Sequence, residues 1–415
     1  MGPGVASANR RKAGPMRVSQ AVWGVFHHFE LARELDRRGY LDTVYSTWPW
    51  MRLKREGLPH SKVRTWPWMH TPEVLLRRAG MLPRWLEDQM GYINVLGFDD
   101  WTDRRLGSVD ALIAISGAGL KTGRNLQRRG GVYLCDRGSS HHSYQARIVS
   151  EEFLRWGLVA PPPDPRDTLR EESIYDVADA ISVPSSFARR SFLELGVPAE
   201  KVHVIPYGVR LEAFAKVAEP PAGGFQVLFA GQVSLRKGVP YLLQAFARLK
   251  HPAKRLRLAG AVAPEMKALL GRLPRENVEF LGPLPQARLP QIMSESHLLV
   301  LPSIEDGFGL VLSQALACGC PIVASTNTGG DDLIRDGCEG YIVPIRDVDA
   351  LLDRMQRLVD DPSLQRHMSE AALARVAQLG GWRQYGDLWE SLLLRLTKQQ
   401  PALGESLADP GAAVL

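Results

Sequence analysis

Residues 298–325, LLVLPSIEDGFGLVLSQALACGCPIVAS, constrain the fold of this chain more than any other stretch. The apolar run 298–301 is short and bounded by proline and serine, which predicts a strand buried on both faces. The apolar segment 310–317 predicts a helix, because Gly319 stands where helices commonly end. Residues 322–324 predict the next buried strand. Such a strand–helix–strand unit is typical of a parallel sheet covered by helices.

The loop between that strand and helix contains two acids, Glu305 and Asp306, and two glycines, Gly307 and Gly309. In open parallel sheets, ligands bind at the carboxyl ends of the strands. A helix start presents free N–H groups that suit phosphate, and glycine lets the backbone approach a ligand closely. The loop therefore predicts a binding site for a phosphate-containing ligand.

A second loop of this kind follows the predicted strand 225–230. It begins at Gly231 and ends with Arg236 and Lys237, directly before a predicted helix over 239–249. A glycine turn with two adjacent cations at a helix start suits a diphosphate. The alternative interpretation is a solvated basic turn.

The first half of the chain shows the same alternation of strands and helices. Residues 18–25 predict a weak strand that contains Gly24 and leads through His27 and His28 into a helix. Either a histidine of this pair faces the ligand-binding edge, or it caps or packs the helix. The pattern leaves both readings open.

Polar residues crowd the end of another predicted strand in this half, 131–135. They include Asp136, Arg137 and His141, again at the edge where ligands bind. The alternative is structural, with Asp136 paired to Arg137 and Ser139 capping a helix.

Three motifs resemble the retaining glycosyltransferases of family 4. They are the acidic stretch with GFG and its apolar helix, the glycine loop that ends in Lys237, and the segment GVPAEKVHVIPYGV over 196–209. The resemblance covers the second half almost completely and the end of the first half, whereas the first 170 residues match only in outline. It implies an α/β GT-B fold, in which two Rossmann-like doubly wound domains face a cleft.

The resemblance also implies roles for the residues of these motifs. Asp306 stands at the first acidic position of the family pattern and Gln314 at the second, so the chain departs from the double-glutamate form at both. Glu305 offers the first carboxylate in a shifted register. The family often has an arginine where this chain has Gln232, and Arg236 is expected to replace that cation.

The implied catalytic residues are Arg236, Lys237, Glu305, Asp306 and His141, the last because family members often carry a sugar-contacting histidine in that region. The implied donor-binding residues are Gly231, Gln232, Gly307, Phe308, Gly309, Leu310 and Gln314. The acceptor-side candidates are Gly24, His27, His28, Asp136 and Arg137.

The same comparison predicts the order of the domains. It implies an acceptor-binding domain over 16–215 and a donor-binding domain over 216–380. Residues 1–15 are small, polar and basic, so a disordered leader is expected there. A helix within 381–398 is expected to cross back onto the first domain, and a flexible tail to cover 399–415.

Residues 44–90 combine aromatic and basic side chains. The tryptophans are Trp48, Trp50, Trp66, Trp68 and Trp85, interleaved with eight lysines and arginines. This composition suits an anionic membrane surface, stacking on sugar rings, or single-stranded nucleic acid. The alternative is that the tryptophans form part of the core. We expect a role in membrane or acceptor binding for the stretch as a whole.

Composition narrows the remaining choices. The 415 residues have a net charge of +6, which fits an anionic ligand or surface. The four cysteines show no CxxC pair and no disulfide spacing, so a cytoplasmic location is expected. A cytoplasmic protein with a basic, aromatic surface could also associate peripherally with the inner face of the membrane. No run of apolar residues is long enough to span a bilayer. No cluster has metal-ligand spacing, so no metal or other cofactor is expected, and Asp347 and Asp349 resemble a DxD motif but fit a helix cap better.

The resemblance to family 4, which these observations do not oppose, implies a transferase of the hexosyltransferase type. It would move a sugar from a nucleotide-diphosphate sugar to a glycan or lipid-linked acceptor with retention of configuration, in cell-surface polysaccharide or glycolipid synthesis. The alternatives are a non-catalytic nucleotide-sugar-binding subunit, and another GT-B enzyme such as a phosphorylase or epimerase. A nucleic-acid partner is not expected, because no motif of the usual kinds is present.

Overall fold

The structure is a computed structural model, and it describes residues 15–25, 27–78, 83–210 and 212–398. The predicted leader, apart from Pro15, and the predicted tail lie outside the described residues.

The elements of the first domain alternate between strands and helices. In chain order they are β1 (Val18–Val22), α1 (His27–Arg37), β2 (Leu41–Ser46), α2 (Trp50–Leu53), β3 (Val63–Thr65), α3 (His70–Arg78), α4 (Arg84–Asp103), β4 (Ala111–Ile115), α5 (Leu120–Arg128), β5 (Val132–Asp136), α6 (His142–Arg155), α7 (Pro165–Val177), β6 (Ala180–Val183), α8 (Ser186–Glu194) and β7 (Val202–Val204).

The second domain repeats this alternation. Its elements are β8 (Phe225–Ala230), α9 (Val239–Arg248), β9 (Lys254–Ala259), α10 (Pro264–Leu269), β10 (Val278–Gly282), α11 (Leu289–Ser294), β11 (Leu298–Leu301), α12 (Leu310–Ala317), β12 (Ile322–Ser325), α13 (Gly330–Leu333), β13 (Gly340–Val343), α14 (Val348–Asp360), α15 (Pro362–Gln378) and α16 (Gly381–Thr397).

Each domain is built on one parallel sheet. The strand order is β3-β2-β1-β4-β5-β6-β7 in the first sheet and β10-β9-β8-β11-β12-β13 in the second. In both sheets the order reverses beside the first strand, between β1 and β4 and between β8 and β11. Ligands bind at such points in open parallel sheets, outside the carboxyl ends of the strands. The predicted fold class, two doubly wound α/β domains, is confirmed.

The central strands are apolar because both of their faces are covered. Leu298–Leu301 and Ile322–Ser325 are buried at every position, as continuous apolar runs in a parallel sheet should be. The predicted first strand is shorter than expected, since residues 23–25 form bends after Val22. That early end lets the chain turn towards α1 at the edge of the sheet.

Helix α16 leaves the second domain and packs on α1 of the first. The buried guanidinium of Arg38 pairs with Asp387 and Glu390 of α16, and the Tyr40 hydroxyl donates to Glu390 Oε1 at 2.7 Å. Trp389 is fully buried in this contact region. The two domains are therefore joined by the linker after β7 and by this returning helix.

The aromatic residues of 44–90 divide between the interior and the surface. Trp66 packs on Phe98 and against Gly97, and the Arg52 guanidinium lies 3.8 Å above the Trp48 ring. By contrast, Trp68 is 78% exposed and Trp85 66%. The stretch is thus neither wholly core nor wholly surface. Within the described residues, no helix combines the length and hydropathy needed to cross a bilayer.

Candidate active site

The two loops at the switch point of the second sheet lie side by side. Lys237 follows β8, and Asp306 follows β11, the neighbouring strand of the same sheet. The Lys237 ammonium forms an ion pair with the Asp306 carboxylate, and Asp306 Oδ1 accepts a hydrogen bond from the Gly309 N–H at 3.1 Å. The lysine is largely buried, at 9% exposure. The structure therefore brings the predicted cation, the predicted acid and the start of α12 together.

Glu305 has a different environment from its neighbour Asp306. Its side chain is fully buried, and one carboxylate oxygen accepts from the Ser139 and Ser140 hydroxyls, both at 2.8 Å. The other oxygen accepts from Gln145 Nε2 at 2.7 Å and from the Arg236 guanidinium at 3.0 Å. Arg236 belongs to the second domain and the other three donors to the first. Glu305 thus holds the domains together, and of the two acids only Asp306 retains partial exposure.

These partners fix the charge of Glu305. Burial by itself raises the pKa of a carboxyl group, but the charge of Arg236 and the hydrogen bonds from Gln145, Ser140 and Ser139 outweigh it, so the pKa of Glu305 falls to about 2. The side chain is therefore ionised throughout the neutral range.

Close backbone approaches accompany this contact. A Cβ atom added at Gly307 would lie 2.5 Å from Ser139 Cα and 2.6 Å from the Gly138 carbonyl oxygen, so only glycine fits there. The Ser185 hydroxyl donates to the Gly307 carbonyl oxygen at 2.5 Å. The Ser186 N–H donates to Asp332 Oδ2 at 2.8 Å. The loops of the two domains are in direct contact in this closed arrangement.

A second contact between the domains lies on α6. Glu152 is fully buried, and its carboxylate accepts from Arg346 Nε at 2.7 Å and from the Tyr241 hydroxyl at 2.8 Å. Trp156 Nε1 donates to the same group at 2.9 Å. Burying a carboxylate is unfavourable unless it is paired, and here Arg346 of the second domain supplies the opposite charge.

A cavity of about 270 Å³ lies between the domains, beside these loops. Gln314 and Leu310 of α12 line one side of it, and His27 with Glu30 of α1 lines another. The remaining lining residues are Val25, Glu56, Gly208, Val209, Arg210, Phe214, Gln286 and Trp382. Gln314 therefore faces open space, as a ligand-binding side chain should, and shares that space with one acceptor-side candidate, His27.

His27, His28 and Asp136 come together at the ends of β1 and β5. One carboxylate oxygen, Asp136 Oδ2, lies 3.0 Å from His27 Nε2 and 3.2 Å from His28 Nδ1. The sequence showed no cluster with metal-ligand spacing, but the ligand atoms of these three residues all lie within 4.8 Å of one another in the structure. The cluster could not be recognised from sequence spacing, because Asp136 is 109 residues from His27.

The structural interpretation of 136–141 also needs correction. Asp136 pairs with the two histidines rather than with Arg137, and Arg137 donates to the Ser140 carbonyl at 2.9 Å and pairs with Glu171. The N-cap of α6 is His141, not Ser139.

His141 does not occupy the position that the family comparison implied. Its Nδ1 accepts from the Ser143 N–H at 3.2 Å, and its ring packs against Tyr175 and Phe192. The side chain is buried, and burial lowers its pKa to about 4. These contacts make it a helix cap in the core of the first domain, whereas the histidine that lines the cavity is His27.

The other predicted residues occupy the loop edges. Gly24 lies in the bend after β1, and Gln232 is exposed after Gly231. Gly231 packs tightly against Gly260, since a Cβ at Gly260 would lie 1.7 Å from the Gly231 carbonyl oxygen. The buried Phe308 ring lies edge-on to Tyr207 at 5.3 Å. Asp347 is the N-cap of α14, as predicted, because its carboxylate accepts from the Ala350 N–H at 2.8 Å.

The sequence reasoning missed residues that complete the site. Ser139, Ser140 and Gln145 bind Glu305, but serines and glutamines in a polar loop gave no specific signal. Tyr207 lies within the recognised segment 196–209, and its hydroxyl is 3.4 Å from His27 Nε2. Of these missed residues, Tyr207 is the one that the sequence could have indicated, because it lies within a recognised motif.

Comparison with known proteins places the second domain in a family. Residues 212–375 match the model for the family "Glycosyl transferases group 1". A D-inositol 3-phosphate glycosyltransferase from Kribbella flavida is 31% identical over 244 residues, which are 53% of this chain and 57% of that protein. An alpha-D-kanosaminyltransferase from Streptomyces kanamyceticus is 32% identical over 35% of this chain and 39% of its own length. The chain thus spans about half the length of the curated relatives it matches.

Solved structures share the fold across most of the chain. A sucrose-phosphate synthase from Thermosynechococcus elongatus superposes with a TM-score of 0.70 at 21% identity, covering 92% of this chain and all of that one. HepE of Anabaena, solved in complex with UDP, superposes with a TM-score of 0.63 at 18% identity and the same coverage.

The fold, the paired switch-point loops and the family match define a class: a GT-B protein with a group 1 glycosyl transferase domain. The resemblance to the family 4 glycosyltransferases is confirmed.

Proposed function

We propose that this protein transfers a sugar from a nucleotide-diphosphate sugar to a hydroxyl group of a glycan or lipid-linked acceptor, with retention of configuration. The arrangement that carries the proposal is the Lys237–Asp306 pair at the switch point of the second sheet, with Arg236 beside it. It joins a site for a departing diphosphate to a site for sugar hydroxyls, at the edge where such sheets bind ligands.

The cations supply the main catalytic effect. Negative charge grows on the diphosphate as the glycosidic bond breaks, and Lys237 lies in a buried position where its charge is weakly screened. Asp306 holds the Lys237 ammonium in place before the donor binds. A bound diphosphate would then pair with this ammonium, either together with Asp306 or instead of it. Because Lys237 and Arg236 neutralise the departing group, we propose that its departure requires no metal ion.

The backbone amides at the start of α12 contribute less to binding the diphosphate than the motif implied. The Gly309 N–H already donates to Asp306 in this closed arrangement. We propose that Asp306 orients sugar hydroxyls and that Gln314, facing the cavity, binds the ribose through its uncharged amide. Acceptors would enter from the α1 side, past His27 and Glu30. Closure through Glu305 and Glu152 would exclude water from the reacting groups.

The test of this function is a thermal-shift series with UDP, GDP, ADP and CMP, without metal and then with magnesium. We expect one diphosphate to stabilise the protein, by about 2.7 kcal/mol when present at 100 times its dissociation constant. UDP is the first candidate, because the structural relative HepE was solved with UDP. Activity is then measured with the sugar nucleotides of the responding base.

The outcomes separate the alternatives. Stabilisation by one diphosphate without metal, together with transfer from its sugar nucleotide, supports the proposal. Binding without transfer to any acceptor would favour a non-catalytic subunit, and phosphate-dependent release of a sugar phosphate would favour a phosphorylase. No stabilisation by any nucleotide would overturn the donor site.

We also propose that the first domain rests on an anionic membrane through the segment 44–90. Trp68 and Trp85 are exposed, while two of the acids, Glu56 and Glu73, pair with or accept hydrogen bonds from protein partners. Exposed indoles in a segment with eight lysines and arginines suit the headgroup region of an anionic bilayer. Such an association would bring the acceptor side near lipid-linked substrates.

Sedimentation with anionic vesicles tests the membrane proposal. We expect the chain to pellet at low salt, to be released as salt rises, and to pellet less after Trp68→Ser with Trp85→Ser. Val159→Ser is the matched control, since Val159 is a highly exposed apolar residue of the same domain outside this segment. Equal pelleting of the double variant and the control, or no pelleting at low salt, would contradict the proposal.

A further inference from the structure

The cluster of His27, His28 and Asp136 has a geometry that ordinary pairing does not require. Both imidazoles present a nitrogen to the same carboxylate oxygen, Asp136 Oδ2, at 3.0 and 3.2 Å. All three side chains are buried, with at most 5% exposed. The two histidines are consecutive at the start of α1, and their rings lie edge-on with centroids 3.8 Å apart.

We propose that His27, His28 and Asp136 form a binding site for a divalent transition-metal ion of the zinc class. Zinc binds histidine nitrogen and carboxylate oxygen at about 2.0–2.2 Å, which puts neighbouring ligand atoms roughly 3 Å apart. The two nitrogen-to-oxygen distances match that requirement, and all three ligand atoms lie within 4.8 Å of one another. Two histidines and one carboxylate also form a donor set that such ions prefer over magnesium or calcium, which favour oxygen ligands.

The surroundings hold the carboxylate in one orientation. Asp136 Oδ1 accepts from the Ser182 hydroxyl at 2.8 Å, which leaves Oδ2 directed at the two imidazoles. Hydrogen bonds of this kind to the outer atom of a ligand group orient it and raise metal affinity.

The site borders the cavity between the domains. His27 lines the cavity between the domains, so an ion reaches the cluster from there. Three protein ligands leave a position for an oxygen ligand, as in zinc sites that bind water or substrate. The Tyr207 hydroxyl, 3.4 Å from His27 Nε2, is one such oxygen, and an acceptor hydroxyl in the cavity is another. The site lies on the acceptor side and takes no part in departure of the diphosphate.

Titration of the untagged full chain with Co²⁺, read as visible d–d absorption, tests the inference without nucleotide or acceptor. We expect stoichiometric binding that Zn²⁺ displaces. The spectrum should lack the near-ultraviolet thiolate band that Cys338, the exposed cysteine of the described residues, would give. Asp136→Asn and His28→Gln should each weaken Zn²⁺ binding about 100-fold or more, since even partners of ligands contribute 10- to 100-fold.

His142→Gln is the matched control, because His142 lies in the same domain and bonds to Thr168 outside the cluster. It should bind metal as the wild type does. Absence of d–d absorption in the wild type, or equal Zn²⁺ affinity in Asp136→Asn and the control, would overturn the inference. If Asp136→Asn does not fold, the His28→Gln titration decides. Because the readout is metal binding alone, this result is independent of whether the donor site binds a nucleotide.

Discussion

Replacing Lys237 by alanine is expected to reduce turnover about 100-fold or more while the fold is retained. The ammonium is the cation best placed to neutralise the departing diphosphate, and loss of one preorganised charge-stabilising donor typically has that effect. Affinity for the free diphosphate should fall as well, because the same charge binds it. Turnover with the responding sugar nucleotide and calorimetric binding of its diphosphate measure the two effects.

The matched control is Lys267→Ala, which removes an exposed lysine from α10 of the same domain. It should leave turnover unchanged. Because Lys237→Ala also leaves Asp306 without its cation, the double variant Lys237→Ala with Asp306→Asn is needed as well. Turnover near the control value in either Lys237 variant would remove this lysine from the proposed site.

Replacing Glu305 by glutamine is expected to lower the free energy of unfolding by about 3 kcal/mol at neutral pH. The glutamine amide would present N–H groups to Arg236 or to the first-domain donors, all of which need an acceptor. The size follows from the pKa of Glu305, which falls from 4.5 to about 2 on folding, at about 1.36 kcal/mol per pH unit. Denaturant unfolding of both proteins measures it.

The pH dependence of this difference has a defined sign. A carboxyl group whose pKa is lowered by folding contributes its stability above the unfolded pKa, near 4.5, and loses it as the pH falls towards about 2. The wild type should therefore lose its advantage over Glu305→Gln within that range. Glu194→Gln is the control, because Glu194 pairs with Arg147 on the surface and should contribute less than about 1 kcal/mol. A pH-independent difference would show that the charge of Glu305 is not responsible.

The sequence predicted those parts of the molecule that depend on local pattern. Helix α12 was predicted over 310–317 and spans Leu310–Ala317, because an apolar run between glycines leaves few alternatives. Strand β11 was equally clear, since its burial on both faces makes it continuously apolar. Lys237 and Asp306 were each predicted as site residues, but their ion pair depends on β8 and β11 being neighbours in the sheet, which the sequence pattern did not show.

Contacts between distant segments were beyond that reasoning. Nothing in the pattern around Glu305 showed that Ser139, Ser140 and Gln145 would surround it from the other domain. For the same reason His141 was assigned to the cleft, although Tyr175 and Phe192 enclose it. Which of two neighbouring polar residues faces a cleft depends on how the elements pack, and helical or strand periodicity alone does not determine this.

The return of α16 to the first domain has a consequence for the order in which the protein is completed during synthesis. Arg38 and its partner Glu390 are 352 residues apart in sequence. The surface of α1 that α16 covers therefore leaves the ribosome long before its cover is made. The first domain stays incomplete until the second has been translated, and a chain arrested between the two leaves the Arg38 guanidinium without its partners Asp387 and Glu390.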